Sequence, residues 1–247
     1  MVMKNNVLIK LMRLLPDRPY LALKFYRNFG RWPNWKSPQT FSEKLQWLKL
    51  YDRNPYYTKL VDKYAVKQLV AEIIGEEYVI PTLGIWAKPE DIEWDKLPSQ
   101  FVLKTTHGGG NDGMVICRDK NNFDRQKAIR LLNENMKTDL YVVWREWPYK
   151  NVPKRVLAEK YIEPRPDIKD LSDYKFFCFD GVVKGLFVAT ERQNPNEEVK
   201  FECFICQNEW GMGKLYVRKL SAVVVIIYNP ERVGIRNYRN EVHRIAA

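Results

Sequence analysis

Apolar positions over residues 1–30 recur at helical spacing, and Pro16 and Pro19 are expected to stop a first amphipathic helix there. A Trp/Pro turn region follows over 31–38. Thr40 or Ser42 is then placed to cap a helix through Tyr51, with Leu45, Trp47 and Leu48 on its buried face. Leu60, Val61, Tyr64, Ala65, Leu69, Val70 and Ile73 predict one continuous helix over 59–74, ended by Gly75. Residues 78–85 read as a strand that Pro81 makes an edge or irregular one. Strands at 101–104 and 114–117 pair around a glycine loop, and a helix over 124–137 carries Asp124 in its first turn. Another strand covers 156–162, and runs at 173–179 and 182–189 flank Asp180-Gly181, a hairpin signal. The pattern is α+β with antiparallel pairs, and it lacks the βαβ rhythm of a Rossmann sheet.

The glycine loop is the most informative stretch. The run 101–104 ends on Lys104, and the loop behind it contains Gly108, Gly109, Gly110 and Gly113. Backbone free of side chains approaches phosphate oxygens closely and aims N–H groups at them, while a lysine adds a point charge. A P-loop is excluded, because no Gly-Lys-Ser/Thr runs into a helix. Taken singly, Lys104 reads equally as the end of an edge strand, and His107 as a phosphate contact or a loop-surface histidine.

The chain of 247 residues suffices for one large domain or two small ones. Its net charge of +11 is uneven: residues 1–60 hold twelve Lys/Arg against three acids. Such a front end suits an anionic neighbour or a solvated helical face. The longest apolar run, 222–228, has seven residues and reads as a buried strand. Residues 7–15 are broken by Lys10 and Arg13, so a secretory signal is not expected. Four cysteines make no disulfide scaffold, and a cytoplasmic protein is the default. Cys203-x-x-Cys206 is half a zinc site without partners at zinc-like spacing, and two histidines argue against a hydrolase triad.

Taken in order, separated segments resemble the ATP-grasp fold. Asp62-Lys63-Tyr64-Ala65-Val66-Lys67 with Ile80-Pro81-Thr82 is similar to the helix and strand that open its nucleotide site. Leu97-Pro98, Lys104 and the glycine loop are similar to its lysine strand and phosphate lid. Residues 158–163 look like the hinge strand that grips adenine. Asp173-Tyr174-Lys175 and Glu191-Arg192 look like the next two strands. More narrowly, residues 40–49 and Arg145-Glu146-Trp147-Pro148-Tyr149 resemble the TupA-like ATP-grasp proteins of bacterial surface-polysaccharide clusters, often labelled glycosyltransferases. The resemblance runs from about residue 10 to residue 200.

That resemblance implies two sheet-containing subdomains with the nucleotide site between them, preceded by a helical N-terminal region. The organisation expected is a basic helical region over 1–58, the first helix and strand of the nucleotide site over 59–97 and the phosphate-lid subdomain over 98–157. The hinge and start of the C-terminal subdomain follow over 158–200, then a non-matching tail over 201–247. It also implies a ligase that joins a sugar-acid carboxylate to an amino compound through an acyl phosphate, using ATP and Mg²⁺. Lys63 and Lys104 would contact the nucleotide, Lys104 at the α- and β-phosphates, with Gly108, Gly109 and Gly110 closing over them and His107 beside them. Glu159 and Ile162 would bond adenine through backbone groups, Lys160 would cover the base, and Asp173 or Glu163 would meet the ribose. Lys175 and Arg192, the catalytic candidates, would face the γ-phosphate or the activated carboxylate. Without that context, Glu159-Lys160 reads as an exposed pair and Lys175 and Arg192 as solvated hairpin charges.

After about Phe201 the resemblance stops, and the acids that hold Mg²⁺ in the family find no counterpart. The last metal-binding strands are expected to be missing, either through a shifted reading frame near 201–206 or in a diverged member, with the frame shift preferred. Marginal stability and weak or absent turnover would follow. The partners expected are a nucleotide and an anionic sugar polymer or precursor, with membrane-surface contact through residues 4–31 and a peripheral place at the inner membrane face. Nucleic acid is not expected. A sugar-nucleotide glycosyltransferase is the rival enzyme, but the chain has no Asp-x-Asp motif. A non-catalytic protein that binds polyanions or a membrane surface is the rival from another class.

Overall fold

The computed structural model describes residues 14–109, 113–163, 171, 173–179, 182–190, 199–208 and 211–215, with backbone alone at 179, 182, 203–208 and 211–215. The chain divides into two compact units, Met1–Tyr161 and Ile162–Ala247.

In the first unit, helix α1 (Asp17–Phe29) starts where the two prolines lie. Pro16 is its N-cap and Pro19 sits in the first turn, where a missing N–H breaks no helical bond. Gly30, at φ 68°, ends the helix and donates its N–H to Tyr26 O at 2.8 Å. Helix α2 (Phe41–Tyr51) is capped by Thr40, which accepts from Glu43 N while the Glu43 carboxylate accepts from Thr40 N. Glu43 also takes Arg31 at 2.5 Å and the backbone N–H groups of Asn34 and Gln39, and these bonds hold its carboxyl well below the usual range. The buried residue of α2 is therefore this glutamate, whereas Trp47, expected inward, is exposed.

The expected helix over 59–74 is two helices, α3 (Tyr56–Val61) and α4 (Ala65–Ile74). Tertiary bonds win over local periodicity at the break. Buried Asp62 accepts from Tyr64 N at 2.9 Å and from Arg155 Nη2 at 2.6 Å, and Lys63 N donates to Thr106 O at 3.1 Å.

A four-stranded antiparallel sheet follows in the spatial order β1 (Thr82–Trp86), β4 (Val156–Lys160), β2 (Phe101–Thr105), β3 (Met114–Cys117). Strand β1 is an edge, as Pro81 implied, but it begins after the proline because residues 76–78 form a 3-10 turn. Strand β2 is interior, so Lys104 does not end an edge strand. Helix α5 (Arg125–Met136), with Asp124 as N-cap rather than first-turn residue, covers one face of the sheet. Fully buried Phe101, Leu103, Cys117, Leu132, Val156 and Ala158 form that core. Side chains of this size contribute about 1.5–3 kcal/mol each when buried. Helix α6 (Leu140–Trp144) ties α1 down, with Tyr20 Oη donating to Val143 O at 2.6 Å and Tyr141 Oη to Asp17 at 2.8 Å.

The second unit is an antiparallel meander of β5 (Asp173–Phe179), β6 (Val182–Thr190), β7 (Lys200–Asn208) and β8 (Gly211–Leu215). The expected hairpin pairs as read, Lys175 facing Phe187 in register, with its turn outside the described residues. Phe187 packs edge-on to Phe201 at 5.8 Å, while Leu186 and Ala189 are buried. Backbone pairing thus continues past residue 201 through two further strands. Residues 216–247, including the run at 222–228, lie outside the described residues. The chain is α+β with two antiparallel sheets.

Candidate functional site

Strand alternation sorts the first sheet into a core face and a working face. Phe101, Leu103 and Thr105 point to the α5 side, so Lys104 points to the other. Register puts Lys104 opposite Leu157 and Val102 opposite Glu159, which brings Lys104 and Glu159 to the same face on neighbouring strands. Their side chains meet: Lys104 Nζ lies 2.6 Å from Glu159 Oε2. Lys67, on α4, reaches Glu159 Oε1 at 2.6 Å and Ile80 O at 2.5 Å. Burial alone would raise the Glu159 pKa, but bonds from Lys104 and Lys67 outweigh it and hold the carboxyl below its ordinary range.

Lys63 joins this cluster through the break between α3 and α4. Its Nζ donates to Gly108 O and, at 3.3 Å, to Thr105 O, so the amine underpins the glycine loop. Burial and the nearby Lys104 charge lower its pKa to about 8, against the opposing pull of Glu159 and Asp62. Two lysines therefore hold one carboxylate, and a third lies beside them under the loop. The surplus positive charge suits a polyanion more than a neutral ligand.

The loop is anchored from the core side. Thr105 Oγ1 donates to Asn135 Oδ1 at 2.5 Å, and His107 Nε2 donates to Asn135 O at 3.3 Å. His107 is 3% exposed, which corrects the loop-surface alternative; burial and Lys154 push its pKa down. Its neutral ring acts as a post between the loop and α5. A Cβ at Gly113 would overlap the Asn135 amide, and one at Gly108 would overlap Thr105 Oγ1. Both positions need glycine through close approach. Thr106, fully buried, donates its Oγ1 to Pro153 O at 2.6 Å and accepts from Arg155 N at 3.1 Å.

The structure thus brings Lys63, Lys104, Gly108 and Glu159 together, with His107 behind and Gly109 on the exposed side of the loop. Glu159 is 5% exposed, so the exposed-pair reading fails for it, while Lys160 is exposed and donates its N–H to Pro81 O at 3.0 Å. Ile162 and Glu163 are exposed at the start of the second unit. There Lys175 pairs with Asp173 on β5, and burial lowers the Lys175 pKa. Gly110 and Arg192 lie outside the described residues. Two contributors escaped the sequence reading. Lys67 was quoted only as part of a motif, and Asn135 carried a usable signal as the one polar residue on the Ala128–Leu132 stripe of an amphipathic helix.

The donor set fits the phosphates of a nucleotide: three amines, a glycine loop held close against Asn135 on its core side, and a strand whose other face is sealed by core. It does not show a place for Mg²⁺. Among the described residues no group of three or more His, Cys, Asp or Glu side chains could hold a metal ion.

No curated protein and no solved structure matches the chain. The family model for TupA-like ATPgrasp matches residues 43–205, about two thirds of the chain. The match starts later than the resemblance read from about residue 10 and ends close to the Phe201 limit. It spans every site residue above, and the chain belongs to the TupA-like ATP-grasp family.

Proposed function

We propose that this ATP-grasp protein is a ligase of surface-polysaccharide assembly, which joins a sugar-acid carboxylate to an amino compound with ATP as energy source. The observation that carries the reading is the pairing of Lys67 and Lys104 with Glu159, beside Lys63, which bonds the glycine loop. Phosphoryl transfer needs positioning and charge neutralisation more than covalent help from protein. Lys104 and Lys63 hold phosphate oxygens, and the backbone of residues 108–109 closes beside them. Lys160 and Ile162, exposed after the central strand, are available to the base, with Glu163 or Asp173 for the ribose. In the second unit, Lys175 is the candidate for the γ-phosphate or the carboxylate. Mg²⁺ would screen the phosphates; no step is assigned to it, since the described residues do not provide its ligands.

The test offers the protein MgATP, uronic acids and amino sugars or amino acids, and measures ADP release with hydroxylamine as acyl-phosphate trap. ADP and hydroxamate that require the acid support the ligase. ATP binding without either product shows a nucleotide-binding relic. Sugar transfer from a nucleotide sugar, with no ADP formed, replaces the reading with a glycosyltransferase.

A further inference from the structure

The junction of α1 and α2 exposes a set of large aromatic side chains. Tyr26 is 44% exposed, Phe29 51%, Trp32 57% and Phe41 42%. They are neighbours rather than scattered. Tyr26 and Trp32 stack at 4.7 Å, and Phe29 leans on Phe25 at 4.5 Å. Arg31 lies 5.2 Å over Phe25 and reaches across to Glu43 and Thr40, the residue before Phe41. Exposed large aromatics gathered at one junction mark an interaction site more often than a bare face.

Charge narrows the partner. Residues 14–60 carry nine Lys/Arg and three acids. All three acids are already engaged inside the protein. Asp17 takes Arg53 at 2.6 Å, Glu43 takes Arg31 at 2.5 Å, and Asp52 takes Tyr57 Oη at 3.1 Å. The outward charge at this junction, with exposed Lys36 and Lys44, is therefore positive. An acidic glycan would use ring faces for stacking, and the Tyr26–Trp32 stack occupies one face of each ring. Phe29 and Phe41 have no side-chain atom to hydrogen-bond a sugar, and hydrocarbon suits them. No helix among the described residues is long and apolar enough to cross a membrane.

We propose that the α1–α2 junction docks on bilayers that carry anionic headgroups. Phe29, Trp32 and Phe41 enter the boundary between headgroups and acyl chains, and Lys36 and Lys44 meet the headgroup phosphates. This surface does not depend on the nucleotide reading. It would hold the protein beside substrates at the membrane, leaving the lysine cluster to its own ligand.

The test uses the full chain in co-sedimentation with vesicles of phosphatidylcholine alone or mixed with phosphatidylglycerol. Two variants accompany it, Phe29→Ser/Trp32→Ser and Lys36→Glu/Lys44→Glu, all at exposed positions. The wild type is expected to partition about tenfold or more onto the anionic vesicles, with each variant losing about tenfold and added salt weakening the wild type. Thermal stabilisation by MgATP stays unchanged in both variants, so failure here and failure of the nucleotide reading are told apart. Absence of wild-type binding to anionic vesicles overturns the proposal. So does full retention by both variants, which would assign binding to residues 1–13. Variant-sensitive binding of a soluble polyuronate, without vesicle binding, would replace the membrane with a glycan.

Discussion

At Lys63 an amine sits where its proton titrates at about 8, because burial disfavours its charge and Lys104 repels it. Only the charged form attracts phosphate. Its folded pKa lies below the ordinary lysine value, so the neutral form gains as pH rises through about 8. A bound polyanion reverses that preference, and binding above this pH takes up a proton. MgATP affinity is thus expected to be flat below about 8 and to fall by up to about tenfold per pH unit above it. In Lys63→Arg, which stays charged, the fall should vanish or move to higher pH. Calorimetric titrations between neutral pH and pH 9.5 check this, and an equal fall in the variant would remove Lys63 from the site.

At the scale of elements, the glycine loop and α5 behave as one clamp built on Asn135. Gly113→Ala pushes a methyl into the Asn135 amide and should cost about 1–3 kcal/mol, read from chemical denaturation. Asn135→Ala alone strands buried Thr105 Oγ1 at a similar cost. Because the added methyl then has room, the double variant should be more stable than the sum of the two losses predicts. Simple additivity would show that the loop does not rest on Asn135.

Elements differ in how far the sequence disclosed them. Short apolar runs bounded by turn signals, the glycine loop and Asp180-Gly181, located β2, β3, β5 and β6, because those signals are local to the chain. Thr40 marked a helix start through cap chemistry that is local, whereas Asp124, read as a first-turn residue, is itself the cap. The break at Asp62 was illegible, because the competing bonds come from Thr106 and Arg155, distant in sequence. Trp47 misled for the opposite reason: a large aromatic suggests burial, yet Glu43 occupies the inner position through hydrogen bonds with four neighbours. Within the site, Lys104 was legible from its place before the glycines. That Glu159 presents its carboxylate to two lysines follows only from strand register and the placement of α4.

For the whole molecule, the described residues divide the work unevenly. The first unit contains the lysine cluster, the glycine loop and the central strand, and the second contributes Asp173 and Lys175 on its own sheet. Two strands continue that sheet beyond residue 201, where recognisable family motifs end. The central claim is that the lysine cluster binds the phosphates of ATP, and it is independent of turnover. A thermal-shift titration with MgATP of wild type against Lys104→Ala tests it most directly, since a ligand bound only by the folded chain raises its melting temperature. The account predicts a rise that saturates in the wild type and is lost in the variant. An equal rise in both, or none in a folded wild type, would contradict it.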